Sequence, residues 1–309
     1  MKKYSNLIII IMSFITLILI LLNKSLVSKT IITSFSIWFN TLVPSMFPMI
    51  ILSDILISYN FTEYIPKKII NLISKIFNIS NSASLIIILS MISGFPTNAI
   101  NIKNAYDKNL ISKKESEHLL LFNHFPNPLF ILETIGNFYL NNNTYGIIIL
   151  ISLILSNIII GILFRNKNNY STNNYISKNT KSQNFGNILS NSITKTINSL
   201  LMISGTITLF LILSTLIINV FKLNSYLSII VQGILEMTMS IAALTSLNIN
   251  DITKVIISTI IISFGGLSIH LQVFSSLEEK IKYKNYFIGR IYQTLIAALI
   301  SFILMISIY

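Results

Sequence analysis

The sequence contains no cysteine and few charged residues. Without cysteine there is no disulfide framework, no thiol nucleophile and no metal site built on thiolates. Charged residues make up 10% of the 309 residues, whereas an ordinary soluble domain carries about 25%. A chain with so little charge cannot cover its surface with solvated groups, which excludes a soluble globular domain.

The sequence also lacks the short motifs that mark common catalytic classes. It has no Walker motif for ATP binding and no cluster of His, Asp and Glu at the spacing of metal ligands. The paired aspartates, Ser/His pairs and HExxH helices of intramembrane proteases are missing as well. We therefore expect a protein that is not an enzyme and that has no bound cofactor.

Long apolar runs are abundant, because 53% of the residues are hydrophobic and the mean hydropathy is +0.74. Nine apolar segments predict an all-α polytopic membrane protein. They cover residues 7–22, 38–59, 83–101, 117–137, 145–164, 199–221, 226–247, 252–273 and 288–309. The stretch 62–78 is different, with apolar residues on one side and Lys, Asn and Ser on the other, which predicts an amphipathic helix on the membrane surface.

The net charge of +12 comes from Lys and Arg between the apolar segments. Basic loops are typical of the cytoplasmic side of membrane proteins, so we expect no nucleic-acid partner. If all nine segments cross, the two sides carry nearly equal numbers of basic residues. If the third and seventh segments enter and return, 18 of the 22 basic residues share the side of the N-terminus. The remaining four are Lys24, Lys29, Lys222 and Lys254. This bias favours about seven crossing helices, two re-entrant segments and a cytoplasmic N-terminus.

The two halves of the chain resemble each other in where their helices break. The third and seventh segments break near Gly94 and around residues 233–236, and the fourth and eighth break near Asn127 and at residues 265–266. The spacing from Gly94 to Asn127 equals that from Gly233 to Gly266. Segments two to five thus repeat as six to nine, and three crossings per repeat place the two copies in inverted orientation. Inverted repeats with broken helices are the architecture of many secondary transporters.

Four matched breaks indicate one polar site at mid-depth, because lipid cannot satisfy the backbone groups that a broken helix exposes. A helix that starts at a break offers free N–H groups and the positive end of its dipole to an anion. The alternative for each break is a kinked helix packed on small residues. The candidate substrate-binding residues flank the breaks and are Gly94, Pro96, Thr97, Asn98, Asn123, His124, Asn127, Glu236, Thr238, Gly265, Gly266, Ser268, His270 and Gln272.

Five ionisable residues are predicted to lie at depth in the membrane: Asp54, His124, Glu133, Glu236 and His270. Burying such a group costs about 2.5–3.5 kcal/mol on insertion scales, so it usually faces a cavity. Glu236 lies at the turn of the seventh segment, where a carboxylate could bind a coupling H⁺ or Na⁺ or a donor on the substrate. Asp54 and Glu133 lie nearer segment ends, and their alternative is to reach the interface. Each histidine has the alternative of a hydrogen bond to a neighbouring helix.

Five blocks of sequence, in order, resemble the sporulation integral membrane protein YlbJ (SpoVV) family. They are WFNTLVPSMFP at 38–48, GFPTNA at 94–99, PLFIL at 128–132, GILEMT at 233–238 and FGGLSIHLQV at 264–273. The resemblance implies a nucleoside-recognition Gate domain, similarity to concentrative nucleoside transporters, and movement of dipicolinic acid across the outer forespore membrane. Asn98, Ile100, Glu133 and the run His124–Asn127 depart from the family pattern, and these positions leave the solute open.

Together these inferences predict a secondary transporter of a small anion. The predicted parts are an N-terminal anchor helix (1–30), a first Gate-like repeat (31–164), a cytoplasmic linker (165–198) and a second repeat (199–309). Its partners would be the lipid bilayer and the anion, and a homo-oligomer is compatible with this architecture. The alternatives are a nucleoside or nucleobase carrier of the same fold, and a sporulation scaffold that recruits other proteins through residues 165–187.

Overall fold

The computed structural model describes residues 2–59, 61–165 and 184–308, and the regular secondary structure in these ranges is helical throughout. The all-α polytopic fold is therefore confirmed. The α-helices are α1 (Lys2–Leu22), α2 (Lys24–Ile37), α3 (Val43–Ser58), α4 (Lys67–Phe77), α5 (Asn81–Ser93), α6 (Thr97–Asp107), α7 (Lys113–Phe122), α8 (Asn143–Leu163), α9 (Phe185–Phe221), α10 (Ser225–Leu235), α11 (Met237–Thr245), α12 (Asp251–Phe264), α13 (Gly266–Ser276) and α14 (Lys284–Ile308). Two π-helical segments, π1 (Trp38–Leu42) and π2 (Phe130–Tyr139), and a 3₁₀ turn (Phe61–Tyr64) complete the order.

Five helical stretches in the described ranges are long and apolar enough to cross a membrane. They are Lys24–Ser58, Asn143–Leu163, Phe185–Phe221, Asp251–Ser276 and Lys284–Ile308. The other two crossings that the sequence predicts are shorter or divided: the apolar part of α1 is Asn6–Leu22, and the fourth segment is split into α7 and π2 by the break at 123–128.

Two helices begin earlier than the hydropathy pattern predicts. The stretch Lys24–Ser58 is one helical run of 35 residues that includes α2, and α9 begins at Phe185, inside the predicted linker 165–198. The polar side of α2 is buried against α9, where the hydroxyls of Ser34 and Thr208 are 2.7 Å apart. Tertiary packing therefore extends these helices beyond their apolar cores. Residues 166–183 of the predicted linker lie outside the described ranges.

Helix α4 lies where the sequence predicts an amphipathic surface helix. It meets α5 at an angle of 99°, so the two do not form one straight span. Its residues Ile70 and Phe77 are buried against the protein, whereas Ile69 and Leu72 are exposed. Apolar side chains that face outward at the edge of a membrane protein suit an interfacial position.

The third and seventh predicted segments are helical hairpins. Helices α5 and α6 pack against each other on either side of Gly94, and α10 and α11 pack against each other on either side of Glu236. Each hairpin therefore enters and returns rather than crossing. By contrast, α12 and α13 continue as a single stretch of 26 residues, Asp251–Ser276, despite the break at Gly265.

Ion pairs fix the end of the first hairpin on the same face as the loop after α13. The Nζ atom of Lys103 is 2.9 Å from Glu278 Oε1, and that of Lys280 is 3.0 Å from Asp107 Oδ1. Hydrogen bonds from Lys103 and Lys280 hold the pKa of each carboxyl below its usual range, so both pairs are ionised at neutral pH. If all nine segments crossed, these two loops would lie on opposite faces, so the contacts exclude that arrangement.

Two hydrogen bonds on the opposite face support the same topology. Tyr145 Oη donates to Asp251 Oδ2 at 2.8 Å, and Asn219 Nδ2 donates to Asn23 Oδ1 at 2.9 Å. With all nine segments crossing, the members of each pair would be separated by the bilayer. With two re-entrant hairpins, all four residues share one face, and the charge pattern and the contacts agree.

This topology can be tested with single cysteines, because the natural chain has none. We expect Tyr64→Cys and Lys108→Cys to react with an impermeant maleimide from the same side of the membrane, and Asn143→Cys to react from the other side. All three positions are exposed. Labelling of positions 64 and 143 from one side, with 108 from the other, would instead require that the first hairpin cross the membrane. The unmodified chain is the control for background labelling.

Candidate functional site

The helix breaks of each half meet in space. A Cβ atom added to Gly94, whose φ is +73°, would lie 2.6 Å from Asn127 Cα. In the second half, a Cβ on Gly266 would lie 3.3 Å from the N and Cα atoms of Glu236. The hairpin tip of each half is therefore in backbone contact with the break in the next long segment of that half.

The equal spacing in the sequence does not mark equivalent contacts. Gly94 and Asn127 touch, but Gly233 lies inside α10 and faces Ser240 and Ile261. The break of the second hairpin is at Glu236, three residues later, where the backbone is extended. The prediction of a break around residues 233–236 thus holds, while the glycine itself serves close packing between helices.

Backbone groups freed by the first pair of breaks bond to each other. The Phe95 N–H donates to Phe125 O at 3.0 Å. The side chain of Asn98 donates to the same oxygen at 2.9 Å and to Asn123 O at 3.3 Å, and Asn123 Nδ2 donates to Ser90 Oγ at 2.8 Å. Asn98 and Asn123, both predicted to bind solute, therefore hold the two breaks together.

The side chain of Glu236 caps the helix that begins at the tip of the second hairpin. Glu236 Oε1 accepts from the Thr238 N–H at 3.1 Å and from its hydroxyl at 2.6 Å, and Oε2 accepts from the Met239 N–H at 3.0 Å. Glu236 is thus the N-cap of α11, where a negative charge is favoured by the helix dipole. Only 1% of its surface is exposed.

A cavity of about 30 Å³ lies between the two halves and is bounded by both hairpin tips. Its walls also include π1, α3, α9, the break before π2 with the start of π2, and α13. The lining residues are Leu42, Met46, Phe95, Pro96, Asn127, Phe130, Ile203, Ile207, Glu236, Met237, Thr238, Ser268, Ile269 and Gln272. Six of the predicted site residues are among them: Pro96, Asn127, Glu236, Thr238, Ser268 and Gln272.

Three polar atoms of the cavity residues have no hydrogen-bond partner in the described part of the chain: Asn127 Nδ2, Ser268 Oγ and Gln272 Oε1. The other ends of two of these side chains are held, since Asn127 Oδ1 accepts from the Phe130 N–H at 3.1 Å and Gln272 Nε2 donates to Thr206 Oγ1 at 2.5 Å. Buried polar atoms are usually paired. These oriented but unpaired groups are therefore available to a solute.

Two helix starts at the site lack a side-chain cap. Helix α6 follows Pro96 and α13 follows Gly265, and neither residue supplies a capping hydrogen bond. Helices α2 and α4, whose residues do not line the cavity, lack such a cap as well. Helices α5, α7, α8, α9, α10, α11 and α12 each begin at a residue whose side chain accepts from the helix backbone. An uncapped helix start favours an anion.

The remaining predicted site residues lie around the breaks rather than on the cavity wall. Both ring nitrogens of His270 are engaged, by Tyr283 and by Phe264 O, and His124 Nε2 is bonded to Leu121 O. Gly94 and Gly266 form the backbone contacts described above, Thr97 is half-buried at the start of α6, and Gly265 forms the break between α12 and α13. His270 thus fits the predicted alternative of contacts with neighbouring structure, whereas His124 Nδ1 has no partner in the described part of the chain.

Asp54 and Glu133 lie away from the cavity. Asp54 accepts from Ser192 Oγ at 2.6 Å and pairs with Lys195 at 3.1 Å, and exposed Glu133 accepts from Asn137 at 3.0 Å. No three His, Asp or Glu residues come close enough to hold a metal ion within the described ranges.

One charged residue at the breaks is missing from the sequence-based candidates. Arg290 is fully buried in α14, and its guanidinium lies 4.4 Å from the centre of the Phe95 ring. The charge count placed it with the basic loop residues. Its position within the long apolar helix Lys284–Ile308 was the signal that could have identified it, because an arginine inside a span usually faces a cavity or a partner.

The chain is similar to the sporulation integral membrane protein YlbJ of Bacillus subtilis (strain 168). The two are 25% identical over 314 residues, which covers 90% of this chain and 77% of that protein. No family model and no solved structure matches the chain. The similarity extends across both hairpins and supports the resemblance to the YlbJ family and an integral membrane protein.

Because the first pair of breaks is in close contact, we expect that adding one methyl group at Gly94 lowers the stability of the protein strongly. Gly94→Ala should destabilise the protein by more than about 1 kcal/mol, because the positive φ is unfavourable for alanine and the Cβ would overlap Asn127. Gly205→Ala, in α9 with no atom within 4 Å of the new Cβ, is the matched control and should be neutral or slightly stabilising. Thermal unfolding of the purified variants in detergent measures both, and equal melting temperatures would contradict the close contact.

Proposed function

We propose that this protein is a secondary transporter that carries a small organic anion across the membrane, and that its solute is dipicolinate during endospore formation. The observation that carries the proposal is the cavity at which both hairpin tips and both broken segments meet. Broken helices around a central site are the common plan of secondary transporters. The two halves can form alternate openings to either face around such a site.

The chemistry of the cavity favours an anion. Two uncapped helix starts border it, and Asn127 Nδ2 and Ser268 Oγ offer unpaired hydrogen-bond donors. The one carboxylate among the described lining residues, Glu236, already accepts three hydrogen bonds from the start of α11. The helix start therefore offsets its negative charge, and it opposes a solute anion less than a free carboxylate would.

The biological setting comes from the relative, which is named as a sporulation protein. The resemblance to its family implies dipicolinic acid, a planar aromatic dicarboxylate, and the outer forespore membrane. A cavity of about 30 Å³ holds about one water molecule, which is less than such a ring requires. We infer that the hairpin tips separate when the solute enters, so the described form is a closed one.

Uptake by purified protein in liposomes tests this function. We expect labelled dipicolinate to enter, and unlabelled pyridine dicarboxylate to compete. Competition by nucleosides or nucleobases instead would establish the carrier alternative, for which Phe95 and Phe130 on the cavity wall offer stacking surfaces. If the protein transports neither dicarboxylates nor nucleosides and nucleobases, the scaffold alternative remains. Most of the segment that would recruit other proteins, 165–187, lies outside the described ranges.

Two serine substitutions, one at the cavity and one away from it, test whether the cavity binds the solute. Ser268→Ala removes an unpaired hydroxyl of the cavity and should weaken dipicolinate binding about fivefold, the value of one net hydrogen bond. Ser258→Ala removes an equally buried and unpaired hydroxyl in α12, away from the cavity lining, and should leave binding unchanged. Equal effects of the two substitutions on the dissociation constant would argue against the cavity as the solute site.

Glu236 is the proposed coupling residue for H⁺ or Na⁺. Glu236→Gln keeps an oxygen that can cap α11 but removes the charge. We expect wild-type liposomes to concentrate solute when a proton or sodium gradient is imposed, and the variant to equilibrate solute without concentrating it. Gradient-driven accumulation by the variant would assign coupling to another residue. Counterflow of labelled against unlabelled solute is the control that the variant still binds and translocates.

A further inference from the structure

Arg290 is a fully buried cation without an ionic partner in the described part of the chain. It lies in α14, six residues from Lys284 and thus about 9 Å along the helix. None of the ion pairs within the described ranges includes it. A buried charge of this kind is costly unless it is compensated.

Only part of the guanidinium is satisfied. Nε donates to Tyr286 Oη at 3.0 Å, and Nη1 donates to Ser263 O at 3.1 Å and to Gln293 Oε1 at 2.9 Å. These contacts account for three of the five N–H donors of an arginine. Nη2 has no partner, and neither has the amide nitrogen of the buried Gln293. Two neighbouring nitrogen atoms therefore hold four N–H donors without an acceptor.

The unpaired nitrogen faces the break between α12 and α13. A Cβ added to Gly265 would lie 3.3 Å from Arg290 Nη2, so the glycine lets the backbone of the break come close to the guanidinium. Gly265 is also the uncapped start of α13. A positive charge, unpaired donors and a helix start thus occur at one place.

We propose that Arg290, together with Gln293, binds a carboxylate of the transported solute, which makes it the residue that selects a carboxylate over a neutral molecule. The inference rests on the proposed function and identifies the residue that recognises the carboxylate of the solute. Phe95 supplies the connection, because its side chain lines the cavity and its ring covers the guanidinium at 4.4 Å. In the closed form the ring separates the carboxylate subsite from the cavity, and displacement of the hairpin tip joins them.

A purely structural role explains the bonded half of the side chain, and the Phe95 and Tyr286 rings stabilise its charge, but neither supplies Nη2 with an acceptor. Ser263 O is among the last four carbonyls of α12, which lack helical partners and attract a cation. That contact uses Nη1 alone. Nη2 and the Gln293 amide remain, and unpaired buried donors are rare in folded proteins unless they serve a ligand or an unlocated water. A carboxylate supplies both the acceptors and the missing negative charge.

The test compares two ligands of similar shape and different charge. Binding of pyridine-2,6-dicarboxylate and of neutral pyridine-2,6-dicarboxamide to the purified full-length protein is measured by calorimetry. We expect the wild type to prefer the dicarboxylate by about tenfold or more, as for a hydrogen bond between charged groups. Arg290→Gln should lose this preference while it keeps the wild-type affinity for the dicarboxamide. Arg165→Gln, the same change at an exposed position, should keep the preference.

Other outcomes separate the failure of this inference from that of the proposed function. If Arg290→Gln retains the preference, or loses both ligands equally, Arg290 does not select the carboxylate. Should that variant fail to fold, Arg290→Lys replaces it; we expect a preference reduced severalfold but present, and an unchanged preference or an equal loss of both ligands would overturn the inference. A wild type that transports dipicolinate but shows no preference also overturns it. A wild type that binds and transports neither ligand contradicts the proposed function itself.

Discussion

The structure depends on one constraint: backbone groups of an interrupted helix must find partners where there is no water. The first half meets this constraint by bringing its hairpin tip against the break in the fourth segment, where the Phe95 N–H bonds to Phe125 O. The second half brings its breaks into contact as well, but side chains supply the partners: Glu236 accepts from the start of α11, and Arg290 donates to Ser263 O. An unpaired backbone group in hydrocarbon costs several kcal/mol. The breaks are therefore tolerated as contacting pairs, and that pairing places four of them around one cavity.

The two halves satisfy the constraint with different chemistry. The first half uses amide and hydroxyl groups, because Asn98 and Asn123 link the breaks without any charge. The second half uses ionisable groups, with Glu236 at the start of α11 and Arg290 at the end of α12. The ionisable groups at the breaks that the two proposals use consequently lie on the second half, and the first half supplies neutral donors and the Phe95 ring. The proposal for Arg290 therefore assigns selection by charge to the second half.

Segment periodicity and loop charge predicted the helices, the breaks and the two re-entrant hairpins, because these features depend on local composition and on the cost of moving charge across a membrane. Contacts between distant residues were not predictable in the same way. The extension of α2 depends on α9, and the contact partner of Gly266 is Glu236 rather than Gly233. Arg290 was missed because a lysine or arginine near a helix end usually reaches water, whereas here the helix turns it toward the α12–α13 break.

Contacts between the halves differ in how deeply they are buried, and this difference bears on the proposed transport. The ion pairs between Lys103 or Lys280 and the carboxylates of Asp107 and Glu278 are solvent-accessible, so water and salt screen them and they separate easily. In the first half, the hydrogen bonds that join the two breaks are buried and would be costly to lose. Helices of the two halves also pack closely elsewhere, since α14 contacts α7 and α8 and a Cβ added to Gly289 would lie 2.6 Å from His124 Nε2. In the proposed carrier, opening would therefore begin at the screened ion pairs, and the joined breaks of the first half would stay intact.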